Sequence, residues 1–243
     1  TGYILDVYRN KIKPEKNPLV FLSAVTFFPH IVQGPICRYN KLTTRLNSLE
    51  KIQYDNLKSA FPRILLGFFK KLVIADRLAI LRNAVFGSLA DFGGWWVLLA
   101  VVFDAFMIYA DFSGCMDIAL GVSKAIGIEL EENFRQPFFS RTAAEFWRRW
   151  HITLGAWFKD YVYMPLAMSP KMIQTTGKIK QKGKTTLSKA FSTGIPLMVV
   201  WILTGLWHGT GADYICWGLY WGLIISLSAV FATQLTQIGR DFD

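Results

Sequence analysis

Long apolar stretches alternate with short polar ones along the chain, and this pattern predicts helices that cross a membrane or lie in it. Gly94 to Ala110 is the clearest spanning candidate: it is almost wholly apolar and carries Trp95, Trp96 and Tyr109 near its ends. Aromatic residues at those positions suit the interface between lipid and water. Ala212 to Thr233 contains one charge and is also long enough to span the ~30 Å hydrocarbon core.

Other apolar stretches are interrupted. Leu19 to Val32 is too short to span a bilayer, and the two prolines and the glycine between Phe27 and Ile36 exclude a continuous helix. A re-entrant or interfacial turn is predicted there. Ala60 to Ile80 contains two pairs of charged residues, which predicts a helix that lies partly in the interface or packs inside a bundle. Asp104 is predicted to face protein or water, because a carboxylate in contact with lipid is unfavourable.

Asp111 and Asp117 flank a glycine just after the first spanning candidate. Two carboxylates at this spacing could bind a metal ion or act as acid and base, but no third ligand follows at the spacing of a known metal motif. Helix capping and buried hydrogen bonding are the favoured interpretation.

Glu145 to Tyr161 combines aromatic and basic residues at helical spacing. The aromatic residues fall on one face of the predicted helix, Arg148 and Arg149 lie mostly opposite, and His151 lies at the edge of the aromatic face. The pattern predicts a continuous amphipathic helix. Docking on a membrane surface would be enough to explain it.

The composition is 52% hydrophobic with a formal net charge of +10, which favours an integral membrane protein with basic cytoplasmic loops. Residues 169–190 contain six lysines and no acidic residue, so this segment is predicted to be a cytoplasmic loop. The run lacks interleaved aromatic residues, and no nucleic-acid partner is expected. The three cysteines are widely separated, which argues against a disulfide framework or a zinc site.

Thr204 to Gly211 places His208 among glycines inside an otherwise apolar run. If a helix resumes near Ile195, His208 lies about 20 Å along it and therefore well inside the membrane. A polar side chain at that depth needs partners, and intramembrane ionisable residues are functional candidates. A packed histidine in a short loop between buried helices is the alternative.

The sequence contains no GxSxG, P-loop or HExxH motif, which disfavours acyl-enzyme hydrolysis, ATP use and zinc proteolysis. His151 and His208 could be brought together only by the fold. One chemistry that needs only a base and a preorganised pocket is direct acyl transfer from a thioester to a hydroxyl. The thioester already carries the activation, so no protein nucleophile is required.

Six short motifs make the chain similar to the membrane-bound O-acyltransferase (MBOAT) family. The resemblance is strongest to its bacterial alginate O-acetyltransferase branch, and the D-alanyl transfer protein of teichoic acid synthesis is a near cousin. In chain order, the motifs are Gln33-Gly-Pro-Ile-Cys-Arg-Tyr39, Tyr109-Ala-Asp-Phe-Ser-Gly114, Glu132-Asn-Phe-Arg-Gln-Pro-Phe138, Glu145-Phe-Trp-Arg-Arg-Trp-His-Ile-Thr-Leu154, Asp160-Tyr-Val-Tyr-Met-Pro165 and Gly205-Leu-Trp-His-Gly209.

The resemblance implies an all-α, polytopic membrane protein with re-entrant and interfacial amphipathic helices. It implies a single domain over residues 1–243, with a core at about 28–221, inside a longer protein. The histidines of the family's motifs correspond to His208, expected to be the base at the centre of a tunnel, and to His151, expected to orient donor or acceptor. The residues expected to bind substrate are Trp147, Arg148, Arg149, Trp150, Trp207 and Asn133.

The resemblance also implies the reaction and its participants. An acyl group, foremost acetyl, would pass from acetyl-CoA or another cytoplasmic acyl thioester to an extracytoplasmic polysaccharide or partner protein. No bound cofactor or metal is expected, and the location would be a bacterial plasma membrane. Two alternatives stay open: D-alanyl transfer from a carrier-protein thioester, and a non-enzymatic transport or scaffold module in which the histidines hydrogen-bond or relay protons.

Overall fold

Every regular element of the described chain is helical. The structure, a computed structural model, describes residues 1–31, 33–49 and 52–231. The chain divides into two compact units, Thr1–Arg135 and Gln136–Asp243, called here the first and the second unit. The predicted all-α class is confirmed. Val32 and the end of the predicted Ala212 to Thr233 span lie outside the described residues.

The described residues of the first unit form seven α-helices. They are α1 (Gly2–Tyr8), α2 (Pro18–Val25), α3 (Phe28–Ile31), α4 (Tyr39–Asn47), α5 (Tyr54–Phe68), α6 (Asp76–Gly87) and α7 (Gly94–Ala125). A π-helical segment, Phe69–Ala75, joins α5 to α6, and a 3₁₀ turn, Leu89–Asp91, follows α6. The two short helices α2 and α3 replace a continuous helix, as the prolines predicted.

The long helix α7 organises the first unit, because α5, the π-helical segment and α6 all pack along it. It extends fifteen residues beyond the predicted Ala110. At the crossing of α5 and α7 two glycines meet: a methyl group on Gly67 would lie 2.6 Å from the carbonyl oxygen of Gly114. Small residues at such a crossing let the helix backbones touch, which is common among helices packed in membranes.

Ion pairs line the contact between α5 and α7. The Asp117 carboxylate accepts hydrogen bonds from Lys70 Nζ at 2.6 Å and from Arg63 Nε at 3.1 Å. The Arg63 guanidinium also donates to both carboxylate oxygens of Glu132, each at 2.6 Å. This hydrogen bond to Glu132 raises the pKa of Arg63 above its ordinary value. Arg63 and Lys70 of the predicted Ala60 to Ile80 stretch are therefore used in packing against α7.

Two further ion-pair groups continue this line. Lys71 Nζ lies 2.6 Å from Asp111 and 2.9 Å from Asp76, and Arg82 Nε lies 3.0 Å from Asp104. Asp104 therefore faces protein, as predicted. Helix capping by Asp111 and Asp117 was wrong, because both lie inside α7. The predicted buried hydrogen bonding is confirmed for Asp117, which is buried and pairs with Arg63 and Lys70.

We expect Asp117→Ala to destabilise the first unit by about 3 kcal/mol, because it leaves two cations, Arg63 and Lys70, without their shared partner in a partly buried contact. The measurement is thermal unfolding in detergent micelles. Glu131→Ala is the matched control: it breaks an exposed pair with Lys41 and should change stability by about 1 kcal/mol or less. Equal shifts for the two variants would refute a structural role for the ion pairs along α7.

The second unit contains another seven α-helices within its described residues. They are α8 (Ala143–Arg149), α9 (Ile152–Phe158), α10 (Met164–Ala167), α11 (Pro170–Gln181), α12 (Thr185–Lys189), α13 (Ile195–His208) and α14 (Ala212–Val230). A 3₁₀ turn precedes α8 at Pro137–Phe139, and π-helical segments occupy Lys159–Tyr163 and Ala190–Gly194. The lysine-rich segment predicted as a loop is mostly helical, and its cytoplasmic location stays a prediction.

Three helices of the described chain are long and apolar enough to cross a membrane. They are Gly94–Ala125, Thr185–His208 and Ala212–Val230. The first and third confirm the predicted spans. The second is longer than expected, because α12 runs through its π-helical segment into α13.

Candidate functional site

His151 interrupts the predicted amphipathic helix. Thr142 begins α8, where its hydroxyl oxygen accepts a hydrogen bond from Glu145 N at 3.1 Å, and Glu145 Oε2 accepts one from Arg141 N at 2.9 Å. Helix α8 then ends at Arg149, and α9 begins only after His151, which has left-handed backbone angles (φ 47°, ψ 51°). The continuous helix predicted from Glu145 to Tyr161 was therefore wrong.

The backbone of His151 identifies this junction as unusual. A residue other than glycine in the left-handed region costs about 1–3 kcal/mol and persists only where surrounding packing fixes it. The His151 side chain is 8% exposed, and its carbonyl oxygen accepts hydrogen bonds from Leu154 N and Gly155 N at 3.1 Å each. Burial of the imidazole thus holds the break that local sequence did not predict. Such strained positions are common in functional sites.

His208 is the last residue of α13, at the tip of the hairpin that α13 forms with α14. The two helices touch through glycines: a methyl group on Gly218 would lie 2.6 Å from Trp201 O and 3.2 Å from Gly205 Cα. Gly205, which has no side chain, therefore lets α14 approach α13 closely. His208 lies 23 residues after the start of its candidate span at Thr185, roughly 34 Å along a helix. The helix therefore begins earlier than the sequence indicated, and the depth of His208 in the membrane stays a prediction.

The two histidines line one cavity of about 100 Å³ within the second unit. Its walls come from the α8–α9 region and from α13. The lining residues are Trp147, Trp150, His151, Leu154, Gly155, Phe158, Val200, Trp201, Thr204 and His208. The fold thus brings together two residues that are 57 positions apart in the chain.

Aromatic rings hold both imidazoles. The Trp207 ring contacts both of them: its centroid lies 5.8 Å from that of His151 and 4.9 Å from that of His208. The His208 ring also stacks nearly parallel to Tyr214 at 6.4 Å and meets Trp217 edge-on at 5.1 Å. These contacts limit the orientations of the His208 ring, which is what a residue that must transfer a proton at a fixed atom requires.

Trp147 belongs to a cluster of four tryptophans. Its ring centroid lies 4.8 Å from Trp201, 5.1 Å from Trp221 and 5.7 Å from Trp217. The Trp147 indole nitrogen is buried and has no hydrogen-bond partner in the described part of the chain. The residue therefore forms one wall of the cavity and ties α8 to the α13–α14 hairpin.

The two arginines next to Trp147 differ in their surroundings. Arg149 donates to Glu145 Oε1 at 2.6 Å, one turn earlier in α8. Arg148 is exposed and forms no ion pair with any residue that the structure describes. The Trp150 ring stacks on Phe146 at 5.6 Å. Substrate binding by these residues stays a prediction, and Arg148 is the one with a cationic group not already paired.

Asn133 belongs to the first unit, whereas the other predicted site residues belong to the second. It is 0% exposed, and its amide nitrogen donates to Met116 Sδ at 3.2 Å. In this structure Asn133 therefore packs against α7 and presents no surface to a ligand.

Sequence reasoning did not assign several residues that build the site. Tyr214 and Trp217 contact His208, and buried Thr204 lines the cavity while its hydroxyl donates to Val200 O at 2.8 Å. Helical spacing after Gly211 could have placed Tyr214 and Trp217 on one face of α14. Similarly, the Thr142-x-x-Glu145 pattern is a capping signal that marks the start of α8.

Chemically, the cavity offers two imidazoles in an apolar, aromatic setting. Burial of the imidazole, and to a smaller extent the charge of the nearby His208, lowers the pKa of His151 to about 4. His151 is therefore neutral at pH 7 and able to accept a proton or a hydrogen bond. Among the described residues, no group of three or more His, Cys, Asp or Glu side chains is arranged to hold a metal ion.

This pKa predicts a stability that depends on pH. Between pH 6.5 and 4 the unfolded chain binds a proton at residue 151 and the folded chain does not, so stability falls as the pH is lowered through this window. The loss attributable to His151 is roughly 3 kcal/mol. The melting temperature in detergent, measured at pH 7, 6, 5 and 4, should therefore fall less steeply for His151→Asn than for the wild type. Asparagine tolerates the left-handed backbone and stays neutral. Parallel curves for the two proteins would contradict a buried, neutral imidazole.

Comparison with known proteins shows which family the chain belongs to. Residues 15–178 match the MBOAT family, described as the membrane-bound O-acyltransferase family. The chain belongs to this family. The predicted resemblance is confirmed, and the protein is a membrane protein.

Relatives match over most of the chain. Over 242 residues the chain is 34% identical to the probable alginate O-acetylase AlgI of Pseudomonas fluorescens. This match covers 100% of the chain and 45% of that protein. It is 30% identical to the peptidoglycan O-acetyltransferase of Helicobacter pylori, over 86% of this chain and 37% of that protein. It is 31% identical to the teichoic acid D-alanyltransferase of Bacillus subtilis, over 90% of this chain and 53% of that protein. The chain therefore spans about half of these relatives' length or less.

Proposed function

We propose that the chain is the core of a membrane O-acyltransferase that moves a short acyl group, foremost acetyl, from a cytoplasmic thioester to a hydroxyl. The acceptor would be an extracytoplasmic polysaccharide or partner protein, and the location a bacterial plasma membrane. One observation carries the proposal: His151 and His208, distant in sequence, line the same small cavity. Family membership supports acyl transfer as the chemistry.

His208 is proposed as the base. Its imidazole takes the proton of the acceptor hydroxyl as the oxygen attacks the thioester carbonyl, and the tetrahedral oxyanion then collapses with loss of the thiolate. The imidazolium returns the proton to the departing sulfur, so the histidine ends neutral. Neutral His151 would accept or donate one hydrogen bond to donor or acceptor and fix its orientation.

The size of the cavity supports a short acyl group. At about 100 Å³ it exceeds the ~10–15 Å³ that one water molecule needs, and it has room for a group of a few heavy atoms. An acetyl or alanyl group fits this volume, whereas a long fatty acyl chain does not. The largely aromatic and apolar walls also suit an uncharged acyl group.

D-alanyl transfer is the second candidate. The observation that favours it is the 31% identity to the teichoic acid D-alanyltransferase of Bacillus subtilis, which covers 53% of that protein. The donor would then be a thioester on an acidic carrier protein. An alanyl group adds an amine to the acyl group, so the cavity would also have to accommodate a positive charge.

Donor competition separates these functions. Membranes that contain the full-length protein would receive labelled acetyl-CoA or labelled D-alanyl carrier protein, and thioester consumption and label on polymer or partner would be measured. We expect transfer from acetyl-CoA. Transfer only from the carrier protein would overturn acetyl transfer and support D-alanyl transfer. Consumption of neither thioester by a folded protein would overturn acyl transfer in favour of a transport or scaffold role.

A further inference from the structure

A second feature of the second unit lies outside the histidine site. Helix α11, the turn after it and α12 form a helical hairpin, residues 170–189, called here the basic hairpin. All of its lysines are exposed, and it contains no acidic residue. These are Lys171, Lys178, Lys180, Lys182, Lys184 and Lys189. Apart from Lys189, none of them has an ion-pair or hydrogen-bond partner among the described side chains.

Hydrogen bonds and a glycine turn fix the conformation of the basic hairpin. Ser169 caps α11 by accepting a hydrogen bond from Met172 N at 3.3 Å, and Ser188 Oγ donates to Thr176 O at 3.0 Å, which joins α12 to α11. Gly183 makes the turn with a φ of 74°, a conformation that favours glycine. The fold therefore concentrates three lysines within five residues around Gly183, although like charges at such close spacing repel.

Apolar side chains are exposed beside these lysines. Ile173 is 57% exposed and Leu187 is 44% exposed, both within the basic hairpin, and Met168 just before it is 62% exposed. Met172 and Ile179, on the inward face of α11, are half-buried. A basic surface that also presents aliphatic groups has the composition of helices that lie in a lipid headgroup layer.

The basic hairpin also adjoins a candidate membrane span. Helix α12 continues through Ala190–Gly194 into α13, and the span begins at Thr185. Lys178, Lys180, Lys182 and Lys184 therefore come just before the first residue of this candidate span, and Lys189 lies in its first turns. Juxtamembrane lysine clusters are attracted by the negative potential of anionic lipids.

We propose that the basic hairpin docks on the anionic phospholipid headgroups of the leaflet in which the Thr185–His208 span begins. Uncompensated positive charge, exposed aliphatic residues and continuity with the span together favour a lipid surface over a soluble partner. A soluble anion would use the lysines but would leave Ile173 and Leu187 without a role. Docking would fix the start of the helix whose other end carries His208.

Photocrosslinking in nanodiscs tests this docking. The full-length protein would be placed in phosphatidylcholine nanodiscs that contain a small fraction of a headgroup-labelled diazirine probe, either phosphatidylglycerol or phosphatidylcholine, and crosslinks would be mapped by mass spectrometry. We expect the phosphatidylglycerol probe to label residues 170–189 at least tenfold more than the phosphatidylcholine probe, since each lysine near an anionic surface contributes roughly fivefold. The preference should shrink in high salt.

Charge-matched variants decide whether the hairpin lysines are responsible. The triple variant Lys178→Gln, Lys180→Gln and Lys182→Gln should lose the preference. The control triple Lys13→Gln, Lys16→Gln and Lys58→Gln removes three exposed lysines of the first unit and should keep it. Equal labelling by both probes in the wild type, or a preference that survives in the first triple variant, would overturn the proposal. Equal labelling by both probes, together with saturable pyrophosphate binding that the first triple variant loses, would overturn it in favour of a soluble-anion site.

Discussion

Replacement of His208 by alanine is expected to lower acyl transfer by about 10²–10⁴-fold, the contribution of a positioned general base. The imidazole lies at the end of α13 against Trp207, Tyr214 and Trp217, and it lines the same cavity as His151. Alanine removes the base and leaves the cavity and its aromatic walls in place. Stability should therefore change far less than activity.

Initial rates with labelled thioester donor, measured on the full-length protein in membranes, would test this. His208→Gln keeps a polar side chain of similar size but cannot act as a base, so it should be nearly as inactive as alanine. His30→Ala is the control: it removes the remaining histidine of the chain, in the first unit, and should leave the rate near that of the wild type. A folded His208→Ala protein with the wild-type rate would contradict the proposed role of His208.

Gly218→Val is expected to disrupt the α13–α14 hairpin and to abolish activity with it. The added side chain would collide with Trp201 O, which is backbone and cannot move independently of α13. Separating the helices would displace His208 from Tyr214 and Trp217, both carried by α14. Overpacking of this kind costs about 3 kcal/mol.

Thermal unfolding and activity would be measured for this variant beside Gly177→Ala. Gly177 lies in exposed helix α11 with nothing within 4 Å of an added methyl group. Alanine there should leave the melting temperature unchanged or raise it, since glycine is unfavourable in a helix interior by about 1 kcal/mol. Equal effects of the two substitutions would exclude the glycine contact as the feature that positions His208.

The membrane-spanning helices were predictable because their signal is local. The predicted spans that begin at Gly94 and Ala212 needed only length, hydropathy and flanking aromatic residues, and α7 and α14 confirm them. The span that begins at Thr185 was placed too late along the chain. Its first turns carry lysine and serine, which a hydropathy pattern assigns to a loop, whereas α12 continues into the span through a π-helical segment.

The partners of the intramembrane charges were not predictable. Sequence alone required Asp104 to face protein or water, but its pairing with Arg82 depends on the register between α6 and α7. That register is fixed by tertiary packing, including the contact of Gly67 with Gly114. A single sequence does not specify which glycines meet.

The site was predictable in its residues but not in its geometry. The motifs singled out His151 and His208, and the fold places both on one cavity. The left-handed backbone of His151 was missed, because periodicity continues across a two-residue break and because burial of the imidazole, a tertiary effect, stabilises the break. Asn133 was included through its motif, although the structure buries it in the first unit.

The central claim is that the two histidines act on one acyl group in one cavity, and a double-mutant cycle tests it most directly. Acyl transfer would be measured for the wild type, His151→Asn, His208→Ala and the double variant, each shown to be folded. Residues that act as a unit have strongly non-additive effects on rate. We expect the double variant to be within a few-fold of His208→Ala alone. Losses that multiply across the two positions would contradict a shared site.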